Sequence, residues 1–242
     1  MHNAKAPSIL KVTSLITGYD KKQVINGVTF AIHTGEVVAL IGPNGAGKSS
    51  ILKAVFGLLP VWSGEIDFDV YVKIGRPFLP SALLRSGIGY VPQGGRVFSD
   101  LTVREHLELG DIFLESKNEL RKRIDFVLEV FPLLKDRLNQ KAGTLSGGER
   151  QLVALARVFV VKLRLLLLDE PSSGLAPAVI STLFGLIQQV SRDYGIAILI
   201  SEQAVREVLK VAQRAYVLRN GLVSFEGNVA ELDDTKLRTA FL

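Results

Sequence analysis

The octet Gly42-Pro43-Asn44-Gly45-Ala46-Gly47-Lys48-Ser49 constrains this 242-residue chain more than any other stretch. It fits G-x-x-x-x-G-K-[ST], follows the continuous apolar run Val37–Ile41 and precedes a helical pattern at Ser50–Phe56. Strand, glycine loop and helix in that order are the context in which this pattern binds phosphate. Gly42, Gly45 and Gly47 let the backbone curl, so that several N–H groups point inward where a side chain would clash. The helix N-terminus adds partial positive charge. Asn44, Ala46 and Ser50 complete the candidate nucleotide-contacting set. Lys48 is the cation for the β- and γ-phosphates, and the Ser49 hydroxyl is a candidate Mg²⁺ ligand. The competing reading is a glycine-rich turn with no ligand, and the flanking strand and helix weigh against it.

The remaining apolar periodicity is that of an α/β protein. Leu165–Leu168 and Ile196–Ile200, like Val37–Ile41, are unbroken apolar runs. Such runs suit strands buried on both faces of a mostly parallel sheet, with a short buried helix as the alternative. From Glu65 to Lys73 the pattern changes. Ile66, Phe68, Val70 and Val72 alternate with Glu65, Asp67, Asp69, Tyr71 and Lys73, which predicts one strand with a wet face in an antiparallel sheet. Within residues 69–86, Pro77 and Pro80 suggest a rearranged loop. In Asn118–Phe131 the apolar Leu120, Ile124, Val127, Leu128 and Phe131 share one helical stripe, and Pro132 ends it. We read residues 94–145 as a helical insertion. Residues 1–93 and 146–242 then form the α/β core of a single domain spanning 1–242.

Composition removes several function classes. There is no Cys, which excludes disulfides, a thiolate nucleophile and Cys-ligated zinc. With three His in the chain, a multi-histidine metal site is not expected. Lys plus Arg exceed Asp plus Glu by 29 to 24. That excess suits an acidic ligand and is too small to argue for nucleic acid. Val158–Leu168 is broken by Lys162 and Arg164 and is too short to span a bilayer, and residues 1–12 lack a signal-peptide core. The expectation is a chain kept in the cytosol, with any membrane role supplied by a partner.

Leu165–Leu168 runs into Asp169-Glu170-Pro171. Open α/β sheets bind ligands at the carboxyl ends of their strands. Asp169 is placed to bind Mg²⁺ indirectly, through another ligand or through water, and Glu170 to polarise an attacking water as general base. By itself the pair would serve equally as an acidic turn capping a strand. The upstream phosphate loop favours the catalytic reading.

A third motif is Leu145-Ser146-Gly147-Gly148-Glu149-Arg150-Gln151, ahead of a helix whose expected buried stripe is Leu152, Leu155, Ala156 and Phe159. Ser146 and Glu149 have capping-box spacing, which is local chemistry. A capped helix tip with bare glycine N–H groups is also an anion site.

Taken in order, these three motifs resemble those of the nucleotide-binding subunits of ABC transporters, over nearly the whole chain. The resemblance implies a phosphate-loop NTPase (RecA-like) core with an N-terminal antiparallel β subdomain and an inserted helical subdomain. It implies ATP and Mg²⁺ as ligands. It implies two subunits paired head to tail, each ATP lying between one phosphate loop and the other subunit's Ser146, Gly147, Gly148 and Glu149. Tyr19 matches the aromatic that stacks on adenine. Gln93 matches the glutamine that contacts Mg²⁺ or the lytic water and links the site to the helical part. Membrane-embedded permease subunits, a peripheral position on the cytoplasmic face of the membrane and, indirectly, a solute-binding protein also follow from the resemblance.

The sequence departs from the family pattern twice. Gln203 stands where a histidine usually contacts the γ-phosphate. Gln donates a hydrogen bond but cannot shuttle a proton at neutral pH, so Gln203 is given a positioning role beside Glu170. Ala176 stands where an Asp is common in the inter-subunit loop. Glu202-Gln203, Gly174-Leu175-Ala176-Pro177 and Ala142-Gly143-Thr144 are similar to one branch, the ATP-binding subunits of importers for branched-chain and neutral amino acids or urea and amides. The alternatives are a soluble ABC ATPase such as one for iron–sulfur cluster assembly, and a nucleotide-binding module without turnover. The transported solute and the choice between homo- and heterodimer are not legible.

Overall fold

The computed structural model describes residues 7–69, 72–74, 79–114, 116–232, 235 and 237. Two β-strands open the chain, β1 (Ser8–Tyr19) and β2 (Lys22–His33), followed by β3 (Val37–Ile41) and helix α1 (Lys48–Val55). Next come β4 (Val61–Phe68), β5 (Val72–Ile74), α2 (Pro80–Arg85) and β6 (Ile88–Val91). The helical stretch holds α3 (Val103–Glu108), α4 (Lys117–Val130) and three short 3₁₀ turns, and leads into α5 (Gly147–Val158). The chain then passes through β7 (Leu165–Asp169), α6 (Pro177–Tyr194), β8 (Ala197–Glu202), α7 (Val205–Val208), β9 (Arg214–Arg219) and β10 (Leu222–Asn228).

The strands form two sheets. One is antiparallel, in the order β2-β1-β4-β5; the other has the order β10-β9-β3-β8-β7-β6. In the second, β9, β3, β8, β7 and β6 run parallel, and β10 is an antiparallel edge. β3 and β7 are buried at every position, as unbroken apolar runs require. The sheet separates two apolar clusters. Val37, Ala39 and Ile41 face the cluster containing α4, α5 and α6 residues, whereas Val38 and Leu40 face the one containing α1 and the antiparallel sheet.

The parallel strands deliver their carboxyl ends to one edge. Ile41 lies opposite Glu202, and Asp169 opposite Ser201. The phosphate loop, the acidic pair and the segment after β8 are therefore neighbours by register.

Three expectations are corrected. Glu65–Lys73 is not one strand: β4 ends at Phe68, Asp69 takes φ 53°, and β5 returns antiparallel with Phe68 opposite Val72 and Ile66 opposite Ile74. Asp tolerates that left-handed turn. The register pairs even with even positions, so the alternation reads straight through the reversal. Of residues 69–86, 70, 71 and 75–78, including Pro77, lie outside the described residues; Pro80 starts α2. The α5 stripe is also too narrow. Val153, Ala154 and Val158 are buried along with Leu155, Ala156 and Phe159, while Leu152 is only half-buried. Val153, Ala154, Leu155 and Ala156 are buried in succession, so more than one face of α5 is covered, and the helix touches both α3 and β6. α4 shows the expected stripe with Val130 added and Leu128 only partly buried.

Candidate functional site

β3 carries the chain into the phosphate loop and α1 carries it out. Two glycines there are dictated by geometry. Gly42 has φ 153°, and a Cβ on it would lie 2.1 Å from the Leu218 carbonyl oxygen. Gly47 has φ 106°, and a Cβ on it would lie 2.5 Å from Ile25 Cδ1. Gly47 is the N-cap of α1, and no side chain caps that helix. Its first-turn N–H groups are oriented for an anion.

Lys48 is buried. Its Nζ donates to the carbonyl oxygens of Gly42 at 2.9 Å and Pro43 at 3.2 Å, and lies 3.9 Å from Glu170 Oε1. Burial pulls its pKa below the ordinary lysine value, and the carboxylates of Glu170, Asp169 and Glu202 act against that shift.

The acidic pair is fully partnered. Asp169 Oδ1 accepts from Ser49 Oγ at 2.8 Å and Ser201 Oγ at 2.7 Å, and Oδ2 accepts from the Tyr90 hydroxyl at 3.1 Å. Burial and this carboxylate push the Tyr90 phenol above its ordinary pKa, so it remains a donor. Glu170 takes φ 46°. A non-glycine residue in that region costs of order 1–3 kcal/mol, and such strain persists where the surroundings hold it. Here Glu170 N–H donates to Ser201 O at 2.9 Å. Its Oε2 accepts from Gln93 Nε2 and its Oε1 from Gln203 Nε2, both at 2.7 Å.

An open cavity of about 410 Å³ lies over these groups. Tyr19, Asn44, Gly45, Gly47, Lys48, Ser49, Ser50, Gln93, Glu170 and Gln203 line it, together with Val24, which sequence reasoning missed. Gly42, Ala46 and Asp169 do not line it; Ala46 and Asp169 are buried. Tyr19 ends β1, is 41% exposed, and receives a 3.3 Å hydrogen bond from Lys53 Nζ. Tyr90, Ser201 and Glu202 were also missed. Only Glu202 adjoins a residue already singled out, Gln203; Ser201 and Tyr90 stand two and three residues before Gln203 and Gln93.

Ser146, Gly147, Gly148 and Glu149 are not among the described residues lining this cavity. The capping box forms: Ser146 Oγ accepts from Glu149 N at 3.3 Å, and Glu149 Oε2 from Ser146 N at 2.9 Å. Glu149 Oε1 also accepts from Arg137 Nε at 3.2 Å. The Ser146 N–H and hydroxyl, with Arg137, hold the Glu149 carboxyl below its usual pKa. Glu149 is thus committed to its own helix tip.

Ala176 caps α6 without a side-chain hydrogen bond, and Pro177 follows at the first helical position. Its extended backbone (φ −70°, ψ 150°) suits an Asp cap. Ala176→Asp is expected to stabilise the isolated chain by about 1 kcal/mol. That corresponds to a rise in Tm of about 2–4 °C for a chain of this size. A thermal melt with no rise would mean that the helix tip gains nothing from a cap.

The donors around the loop are hard oxygens: Ser49 Oγ, the Asp169 carboxylate and the Gln93 carbonyl. Mg²⁺ is commonly held by one or two carboxylates, waters and substrate phosphates. Among the described residues no group of three or more His, Cys, Asp or Glu is gathered to cage a metal. The donor set therefore fits an ion that arrives with a phosphate ligand. Among the described residues no helix is long and apolar enough to cross a membrane.

Comparison with known proteins points to one family. Residues 25–173 match the family model described as ABC transporter. The chain is 43% identical to the high-affinity branched-chain amino acid transport ATP-binding protein BraG of Pseudomonas aeruginosa, over 97% of this chain and 99% of that protein. It is 38% identical to the probable branched-chain amino acid transport ATP-binding protein LivF of Archaeoglobus fulgidus, over 93% and 94%. A dimeric post-hydrolysis ATP-binding cassette bound to ADP and Pi superposes with a TM-score of 0.78 at 26% identity, covering 91% of this chain and 98% of that one.

Proposed function

Because the chain belongs to the ABC transporter family, we propose that it is the ATP-hydrolysing subunit of an importer for branched-chain or related amino acids, or for urea and amides. The observation that carries the hydrolytic reading is the placement of Glu170. Its carboxylate lines the cavity over the phosphate loop, is held by Gln93 and Gln203, and stands 3.9 Å from Lys48. The substrate branch rests on the names of the relatives, which lend no support to iron–sulfur cluster assembly.

In this reading the loop backbone and Lys48 grip the phosphates, and Tyr19 takes the adenine. Ser49, Asp169 and Gln93 would hold Mg²⁺, which would neutralise phosphate charge when bound. Glu170 accepts the proton of the water that attacks the γ-phosphate in line, with Gln203 fixing its carboxylate. Catalysis is chiefly positioning and charge neutralisation. The Ser146 helix tip lies outside the cavity of its own chain. It would therefore meet the nucleotide of a second ABC subunit, like or unlike this one. Residues 94–145 would act as the helical subdomain that, with Gln93, passes closure to transmembrane permease subunits. The chain would thus sit peripherally at the cytoplasmic face of the membrane and serve a solute-binding protein only indirectly.

Mild detergent extraction of cells bearing the tagged chain tests the transport reading. Permease subunits and a periplasmic amino-acid- or amide-binding protein are expected to co-purify. Recovery of an active ATPase with soluble partners alone would overturn it.

A further inference from the structure

We propose that Glu202 is a positioning residue for ATP hydrolysis, its buried carboxylate holding both ends of the hydrogen bond between Gln203 and Glu170. The inference rests on the reading of Glu170 as the general base. Glu202 ends β8 and is 2% exposed. A carboxylate so buried persists where its oxygens are hydrogen-bonded. Those of Glu202 are occupied by backbone N–H groups from two segments. Oε1 accepts from Ser172 N at 2.8 Å. Oε2 accepts from Gln203 N at 3.1 Å and Ala204 N at 3.3 Å.

These partners close a ring. Ser172 lies two residues after Glu170, whose Oε1 receives Gln203 Nε2 at 2.7 Å. Gln203 is the residue next to Glu202. One carboxylate thus fixes the turn that follows the base and the backbone from which the positioning amide extends. Register already sets β7 beside β8, with Asp169 opposite Ser201, but it does not orient the segments beyond the strand ends. Glu202 does. The residue type follows from the chemistry. Three N–H donors converge on two oxygens, so a Gln in its place would set an NH₂ donor against another donor at one end. An Asp, one methylene shorter, would reach one end only.

The test is steady-state ATPase kinetics of the full chain, with and without Glu202→Gln, in the parent and in a Gln203→Ala background. In the parent, Glu202→Gln is expected to lower kcat by about tenfold, the size of one charge-assisted hydrogen bond. KM for ATP should stay within about twofold, because the loop and Tyr19 are untouched. In Gln203→Ala the ring is already open, so the further loss should be under about twofold. An unchanged kcat, a matching rise in KM, or an equal tenfold loss in both backgrounds would each overturn the proposal. If Glu202→Gln does not fold, Glu202→Asp is measured by the same criteria. An inactive parent would instead reject the reading on which the proposal rests.

Discussion

Glu170→Gln is expected to bind MgATP and to lose turnover by about 10²–10⁴-fold, the contribution of a positioned general base. The substitution preserves shape while removing the proton acceptor. It also places an NH₂ group where Gln93 Nε2 or Gln203 Nε2 now donates at 2.7 Å, so one amide must turn away. Binding should survive, because Lys48 and the loop glycines are unaltered and one negative charge beside the phosphates is gone. An ATP-bound pair that cannot hydrolyse should then persist through gel filtration. Equal ATPase rates in variant and parent would reject Glu170 as the base.

The second large effect is expected at Lys48. Lys48→Ala removes the buried cation that faces Glu170 and is held by the carbonyls of Gly42 and Pro43. Loss of one partner from a buried charge pair costs about 2–5 kcal/mol. Nucleotide affinity should therefore fall roughly 30- to 4000-fold. Titration calorimetry with MgATP reads this directly. The two variants separate the steps: Glu170→Gln keeps binding and loses chemistry, whereas Lys48→Ala loses binding itself. Parent-like affinity in Lys48→Ala would remove the lysine from the phosphate site.

What the sequence revealed was local. The apolar run Val37–Ile41, the glycine loop and the Lys48-Ser49 pair lie within a dozen or so residues, and so do Leu165–Leu168 with Asp169 and Glu170. Strand period, turn chemistry and charge are enough to read such stretches. What stayed hidden depends on long-range register. Tyr90 donates to Asp169 across 79 residues, and Ser201 donates to Asp169 across 32. No periodicity marks those partners; the pairing of β6 with β7 and of β7 with β8 brings them together. The β4–β5 reversal was hidden because its register preserves the alternation that suggested one strand. The commitment of Glu149 to its own helix tip was half legible. Spacing showed the capping box, but the pairing with Arg137 came from the folded helical segment.

The central sheet has a further consequence. β3 is a party wall: alternate residues of this one strand belong to the two apolar compartments. Dense interiors transmit strain rather than absorb it. The phosphate loop hangs from the end of that wall, so it cannot outlive either compartment on heating. Melting of the helical side and melting of the β side remove the same floor, and nucleotide capture should vanish with whichever gives way first.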